Sequence, residues 1–256
     1  LETNILNLDI NIGGRYSIWS SSNLITTILF GKNFFIKFLN GGNSIDRQVK
    51  KDFKNSLPFI LALKNFAYRF FYNVTSHFVV PYSDQLEYLP SYLQQLIMES
   101  NGKSVNKKGD KIDLSPCSSI FGSVGTDAQH SFFQAMHQSS LKFTGDLIIF
   151  DEHIDNYHKL NEKLDTQASI DLNKNAIAQY LAFKKGNVNS LDKDPHKLIP
   201  GKKPVDLFSF NKLDAYTLGQ ILSIYEYKTL IEASFLEINP FDQYGVELGK
   251  KIFREI

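Results

Sequence analysis

Short apolar runs alternate along this chain with longer segments in which apolar residues recur every three or four positions. The short runs predict buried strands and the longer segments predict helices. The predicted strands are residues 77–81, 118–121, 146–150 and 206–210. The predicted helices are residues 84–99, 127–138, 170–184, 214–235 and 242–256. This alternation predicts an α/β fold with helices on both faces of a mainly parallel sheet, and ligands would bind beyond the carboxyl ends of its strands.

Two polar stretches predict loops at residues 101–113 and 186–204, where Lys, Gly, Asn, Asp and Pro are frequent. Both stretches lie between predicted elements, so they are interpreted as connections and not as domain boundaries. Gly186 follows a predicted helix directly and suits its carboxyl-terminal stop.

Composition narrows the classes of function. The chain has 256 residues, 43% of them apolar, which is enough for a sizeable core. A net charge of +1 argues against nucleic-acid or membrane-surface binding, and no apolar run approaches the ~20 residues that cross a bilayer. The single cysteine, Cys117, excludes an internal disulfide, so a reducing, cytoplasmic location is expected. Cys117 itself is interpreted as a small packed residue.

Glycine and arginine stand together near the start of the chain, in Gly13-Gly14-Arg15-Tyr16-Ser17. Two glycines allow close approach of a backbone to a ligand, and Arg15 offers a planar fork of donors. The alternative is a turn with a surface arginine.

A carboxylate, Glu99, ends the predicted helix 84–99, just before an Asn-Gly turn. The negative end of a helix dipole disfavours the charged form of a carboxylate, which suits a general base that works near neutral pH. The alternative is an ordinary solvated glutamate.

A histidine, His130, lies in Gly125-Thr126-Asp127-Ala128-Gln129-His130. Thr126 and Gln129 have capping-box spacing, which predicts a helix start with His130 in the first turn and its ring kept neutral. His137 lies ~10 Å further along such a helix, too far to share a metal ion with His130. His130 alone suits a structural role as well as a functional one.

The last polar segment runs from Asn239 to Lys250 and places Gln243, Glu247 and Lys250 on the early turns of a terminal helix. Spacing alone leaves open a solvated helix face.

Together these segments resemble the ordered motifs of the phosphoglucose isomerase family. The matching motifs are Gly-Gly-Arg-Tyr-Ser, Met-Glu-Ser-Asn-Gly-Lys, Gly-Thr-x-x-Gln-His and Phe-Asp-Gln-x-Gly-Val-Glu-x-Gly-Lys. The resemblance runs from about Ile12 to the end of the chain. One mild departure is Asp127-Ala128 and Ser131, where many members have Asn-Gly and Ala.

The resemblance implies interconversion of glucose 6-phosphate and fructose 6-phosphate through a cis-enediolate. Glu99 would be the base, Arg15 would stabilise the enediolate, and His130 and Lys250 would assist ring opening. Gln95, Gln243 and Gly14 would contact the sugar phosphate, and no metal or organic cofactor is implied.

The resemblance also implies a three-layer α/β/α sugar-isomerase (SIS) architecture and a homodimer in which His130 reaches the site of the other subunit. Residues 1–30 would be the tail of a first SIS-type domain, residues 31–235 the second domain, and residues 236–256 a C-terminal helical segment. The family's phosphate-binding loop would belong to an N-terminal half that precedes Leu1, so we expect this chain alone to bind substrate weakly. The alternatives are a non-catalytic sugar-phosphate-binding SIS domain and an inactive fragment.

Overall fold

The computed structural model describes residues 6–9, 12–113, 116–152, 162–188 and 194–256. The chain forms two compact units. The first unit contains Leu1–Phe66, Gln95–Cys117 and Leu218–Ile256, and the second contains Ala67–Gln94 and Ser118–Thr217. Each unit has a core of its own.

The second unit is built on a four-stranded sheet in which every pair of neighbours is parallel. Its strands are β1 (Ser76–Pro81), β2 (Ser119–Gly122), β3 (Phe143–Glu152) and β4 (Val205–Lys212). Their spatial order is β2-β1-β3-β4. All four predicted strands and their parallel arrangement are confirmed.

Helices cover both faces of this sheet. They are α4 (Leu89–Leu93), α5 (Gly125–Gln129), α6 (Phe133–Gln138) and α7 (Glu162–Lys185). On one face, Phe78 packs against Phe133 and Phe183 in a cluster of buried apolar side chains. On the other face, Gly122 leaves room for Pro90 of α4. The predicted α/β/α architecture is therefore confirmed, and α7 ends where predicted, because Gly186 adopts a φ of +59°.

The predicted helix at residues 84–99 is wrong as one continuous element. The segment instead forms a 3₁₀ turn (Asp84–Leu86), α4 and a π-helical turn (Gln94–Glu99). Pro90 lies in the first turn of α4, where its missing N–H costs no hydrogen bond but forces a new helix start. Glu99 does lie in the last turn, as predicted.

The first unit is helical. Its helices are α1 (Leu24–Phe30), α2 (Lys32–Lys51), most of α3 (Leu57–Tyr72), most of α8 (Ala215–Phe235) and α9 (Tyr244–Phe253). The side chains of Phe38, Ile45, Leu61 and Ile221 form part of its buried core. None of the helices in the described ranges is both long and apolar enough to cross a membrane.

Helices α2 and α8 cross at Gly219, where a Cβ would stand 2.1 Å from the carbonyl oxygen of Phe38. We expect Gly219→Ala to lower the free energy of unfolding by about 1–3 kcal/mol, because backbone must move to admit the methyl group. Urea unfolding followed by the fluorescence of Trp19 measures the change. Gly249→Ala is the control, since a Cβ at Gly249 has nothing within 4 Å and alanine favours a helix. Equal stability of the two variants would contradict the prediction.

A half-buried histidine, His137, makes the stability of the second unit depend on pH. His137 stacks on Phe183 with 4.0 Å between the ring centroids, and its Nε2 is 2.9 Å from the Gln179 Oε1. Burial lowers the pKa of His137; the Gln179 hydrogen bond opposes this shift and the nearby Lys203 adds to it. The folded state therefore favours the neutral ring.

We expect the stability of the second unit to decrease as the pH falls below about 6.5, the ordinary pKa of histidine, because the unfolded chain takes up the proton first. Above that pH the contribution of His137 is fully present. His137→Phe should flatten the decrease, whereas His196→Gln, at an exposed position, should retain it. Chemical denaturation at pH 5, 6 and 7 tests this, and an unchanged slope in His137→Phe would contradict it.

Candidate active site

A buried arginine organises the site in the first unit. Arg15 lies in a 3₁₀ turn, Gly14–Trp19, and its side chain is only 2% exposed. Its Nε donates to the Ser100 Oγ (2.8 Å), and its Nη1 donates to the Glu99 Oε2 (3.1 Å) and the Gln243 Oε1 (2.7 Å). Its Nη2 donates to two backbone carbonyls, those of Pro240 (2.5 Å) and Asp242 (3.2 Å). The alternative of a surface arginine is therefore wrong.

Three separate segments meet at this guanidinium. Glu99 comes from the π-helical turn Gln94–Glu99, and Gln243 is the N-cap residue of α9. The guanidinium offers five N–H donors in a rigid plane, so five contacts fix the relative directions of the acceptors. The structure thus brings together Arg15, Glu99 and Gln243, three of the residues that the sequence singled out. Arg15 and Glu99 lie within helical turns and Gln243 directly precedes α9, so none of the three lies at the end of a strand.

Glu99 faces a cavity of about 940 Å³ that Gln243, Lys103 and Tyr244 also line. Its side chain is 30% exposed. The Oε2 atom is held by Arg15, whereas Oε1 has no hydrogen bond among the contacts of the described residues. Glu99 therefore presents one carboxylate oxygen that is held and one that can accept a proton from a molecule in the cavity.

Sequence reasoning did not single out Tyr16, Ser100, Lys103 or Asp242 as site residues, although all four lie within the quoted motifs. The Tyr16 hydroxyl is 2.9 Å from the Ser100 Oγ, and burial raises the pKa of the Tyr16 phenol, which keeps it protonated. Lys103 forms an ion pair with Asp242 (3.2 Å). Their position next to Arg15, Glu99 and Gln243 in these motifs is the sequence feature that could have identified them as site residues.

The other predicted contact residues of the first unit are exposed. Gln95 lies one helical turn before Glu99, and Gly14 begins the turn that carries Arg15. A Cβ at Gly14 would meet no atom within 4 Å. Lys250 lies on α9 and lines a separate cleft with Phe253 and Arg254. The structure does not bring Lys250 into the Arg15 network.

His130 belongs to the second unit, and its predicted place in a helix is wrong. The helix α5 begins at Gly125 with Val124 as its N-cap residue, and His130 is its C-cap residue. The chain turns here because Phe133 must reach the core, where it is only 2% exposed. The Gln129 side chain bonds Asn175 rather than closing a capping box. His130 therefore does not lie at a helix amino terminus, and its side chain is exposed.

A metal site is not formed by the part of the chain that the structure describes. No group of three or more His, Cys, Asp or Glu residues there is arranged to hold an ion. The groups that converge in the first unit are a carboxylate, a guanidinium and an amide, which suit proton transfer on a polar organic substrate.

Known proteins resemble this chain along nearly its whole length. A sequence model of the phosphoglucose isomerase family matches residues 2–256. Glucose-6-phosphate isomerase of Psychrobacter cryohalolentis is 37% identical over 96% of this chain and 45% of its own length. That of Hydrogenovibrio crunogenus is 38% identical over 95% of this chain and 47% of its own length.

A solved structure has a similar fold. The crystal structure of a glucose-6-phosphate isomerase from Chlamydia trachomatis superposes with a TM-score of 0.89 at 32% identity, over 98% of this chain and 48% of that one. The chain thus spans about half the length of the relatives it matches. Because the family model matches nearly every residue, this chain belongs to the phosphoglucose isomerase family.

Proposed function

We propose that this chain supplies the base of an aldose–ketose isomerase that interconverts glucose 6-phosphate and fructose 6-phosphate. The observation that carries the proposal is the contact of Arg15 with both Glu99 and Gln243 beside an open cavity. Relatives named glucose-6-phosphate isomerase, 37–38% identical, support the same substrate class.

In the proposed reaction Glu99 removes a proton from C2 of the open-chain aldose and returns it to C1. The electron pair of the broken C–H bond forms the C1–C2 double bond of a cis-enediolate, and the electron pair of the carbonyl becomes negative charge on O1. The hydroxyl proton of O2 moves to O1, and the carbonyl of the ketose forms at C2 when C1 takes the proton back from Glu99. The fixed positive charge of Arg15 lies beside Glu99 and would stabilise the negative charge that develops on oxygen. Gln243, oriented by Arg15, and the exposed Gln95 and Gly14 would contact the sugar phosphate.

Ring opening requires further groups in this proposal. His130 and Lys250 would serve it at the ring oxygen, with His130 supplied by the partner subunit of a homodimer. Both side chains are exposed, as residues that act across an interface or on a ligand need to be.

We also propose that a further N-terminal half, with the phosphate-binding loop, completes the enzyme in the cytoplasm. Residues 1–30 would then be the tail of a first SIS-type domain, residues 31–235 the second domain and residues 236–256 the C-terminal segment. The support is that the relatives are about twice as long as the part that this chain matches.

The test is conversion of fructose 6-phosphate to glucose 6-phosphate in D₂O, by the chain alone and by the chain mixed with the N-terminal half of the Psychrobacter relative. Deuterium at C2 of the product, detected by NMR, would report the proton transfer. Binding of fructose 6-phosphate without conversion in either sample would instead favour a non-catalytic sugar-phosphate-binding domain. Absence of both binding and conversion in the mixture would contradict the proposal.

A further inference from the structure

Beyond the buried Ile238, the segment that carries Gln243 and α9 has few buried apolar residues. Helix α9 buries no residue, and Pro240 is the one buried residue of the described segment 239–253. Its side chains therefore contribute little hydrophobic stabilisation, which scales with the apolar area buried. Polar contacts must hold Gln243 in place, and two cations provide them, Arg15 and Lys103.

Lys103 makes three contacts with its ammonium group. Its Nζ donates to the carbonyl of Glu99 (2.6 Å) and to the carbonyl of Asp242 (2.7 Å), and lies 3.2 Å from the Asp242 Oδ1. The lysine side chain is 15% exposed. Three N–H donors and three oxygen acceptors match the full capacity of an ammonium group. Lys103 is therefore bound to protein and is not a solvated surface lysine.

These contacts join two of the three segments that carry the site, those of Glu99 and Gln243. In a continuing helix the backbone N–H of Lys103 would donate to the carbonyl of Glu99. Here that N–H donates to the carbonyl of Asn101 instead (2.8 Å), and the Lys103 Nζ donates to the Glu99 carbonyl in its place. A cation at a helix carboxyl terminus is also favourable to the dipole. The Asp242 carbonyl accepts from Arg15 as well, so the two cations share one acceptor immediately before Gln243.

We propose that Lys103 is a positioning residue, which holds the Glu99 backbone and the Asp242–Gln243 turn at a fixed separation. Lys103 acts through the backbone of Glu99 and not on its carboxylate, because its bond is to the carbonyl. Its effect on catalysis rests on the proposed isomerase function, whereas its effect on the turn does not. Small displacements of reacting groups lower rates strongly, so a loose turn would lower turnover more than binding.

Amide hydrogen exchange measured by mass spectrometry on the chain tests the effect on the turn. Lys103→Met keeps the stem and removes the charge and donors. We expect exchange in residues 239–250 to become about tenfold faster, as the loss of hydrogen bonds to a charged group predicts, with exchange in α2 unchanged. Lys103→Arg should restore slow exchange. Lys111→Met is the control, because Lys111 lies in the same loop and its side chain is 83% exposed.

Unchanged exchange in Lys103→Met would overturn the proposal, and so would acceleration throughout the first unit, which would indicate a general structural role. In the isomerase assay, Lys103→Met should lower kcat about 10- to 100-fold and leave KM nearly unchanged, with recovery in Lys103→Arg. An equal change of kcat and KM with no recovery would also overturn it. If the wild-type chain mixed with the N-terminal half were inactive, the proposed isomerase function would be contradicted. The role of Lys103 in holding the turn would still be tested, because hydrogen exchange measures it without an assay of activity.

Discussion

Glu99→Gln is expected to lower kcat for the isomerisation of fructose 6-phosphate by about 10²–10⁴-fold, the usual contribution of a general base. The substitution is isosteric, and the glutamine carbonyl can still accept from the Arg15 Nη1, which now bonds the Glu99 Oε2 at 3.1 Å. The amide cannot take up the proton. KM should therefore change little, and steady-state kinetics of the chain mixed with a complementary N-terminal half measure both constants.

The matched control for this substitution is Glu87→Gln. It makes the same chemical change at an exposed position, and its kcat should equal that of the wild type. Deuterium incorporation at C2 should disappear in Glu99→Gln together with turnover. If Glu99→Gln kept a kcat within a few-fold of the wild type, another group would have to be the base.

Some elements of this fold could be predicted because local pattern and tertiary role agree. The strand β3 is a continuous apolar run after Asp146, and its burial between helical layers requires that pattern. The helix α7 ends at a glycine whose positive φ favours that residue type. In these segments the local sequence pattern is enough to predict the structure.

Helix α2 shows why other elements could not be predicted. Adjacent glycines, Gly41 and Gly42, stand in its middle, and a Gly-Gly pair usually indicates a turn. The structure explains Gly42, because a Cβ there would lie 2.6 Å from the ring of Trp19. A contact with a residue 23 positions away in the printed sequence overrides the local preference of the pair.

The site was predictable as a set of motifs and not as a geometry. Arg15 bonds residues 84 and 228 positions away in the chain, and no spacing rule connects such distances. His130 was predicted near a helix amino terminus because Thr126 and Gln129 have capping-box spacing. The burial of Phe133 ends that helix after five residues. Core packing, which a local sequence pattern does not show, determines where this helix ends and therefore where His130 lies.

Arg15→Met is expected to lower the free energy of unfolding of the first unit by about 3–5 kcal/mol, the cost of removing one partner from a buried charged network. The arginine side chain is 2% exposed. Its loss would leave oxygens of Glu99, Gln243, Ser100 and two backbone carbonyls without these donors. The only tryptophan of the sequence, Trp19, stacks on Phe38 in the same unit. Urea unfolding followed by its fluorescence therefore reports this unit.

Two further variants separate the charge of Arg15 from its hydrogen-bond geometry and control for the loss of an arginine. Arg15→Lys keeps the charge but cannot reproduce the planar fork, so its stability should fall between those of the wild type and Arg15→Met. Arg47→Met removes an exposed arginine from α2 and should change stability by less than about 0.5 kcal/mol. Equal stability of Arg15→Met and Arg47→Met would contradict the prediction. It would mean that the free-energy cost of desolvating the guanidinium in the wild type is as large as the stabilisation from its five contacts. Arg15 would then be retained for the geometry it imposes on Glu99 and Gln243, and its loss would lower isomerase activity without lowering stability.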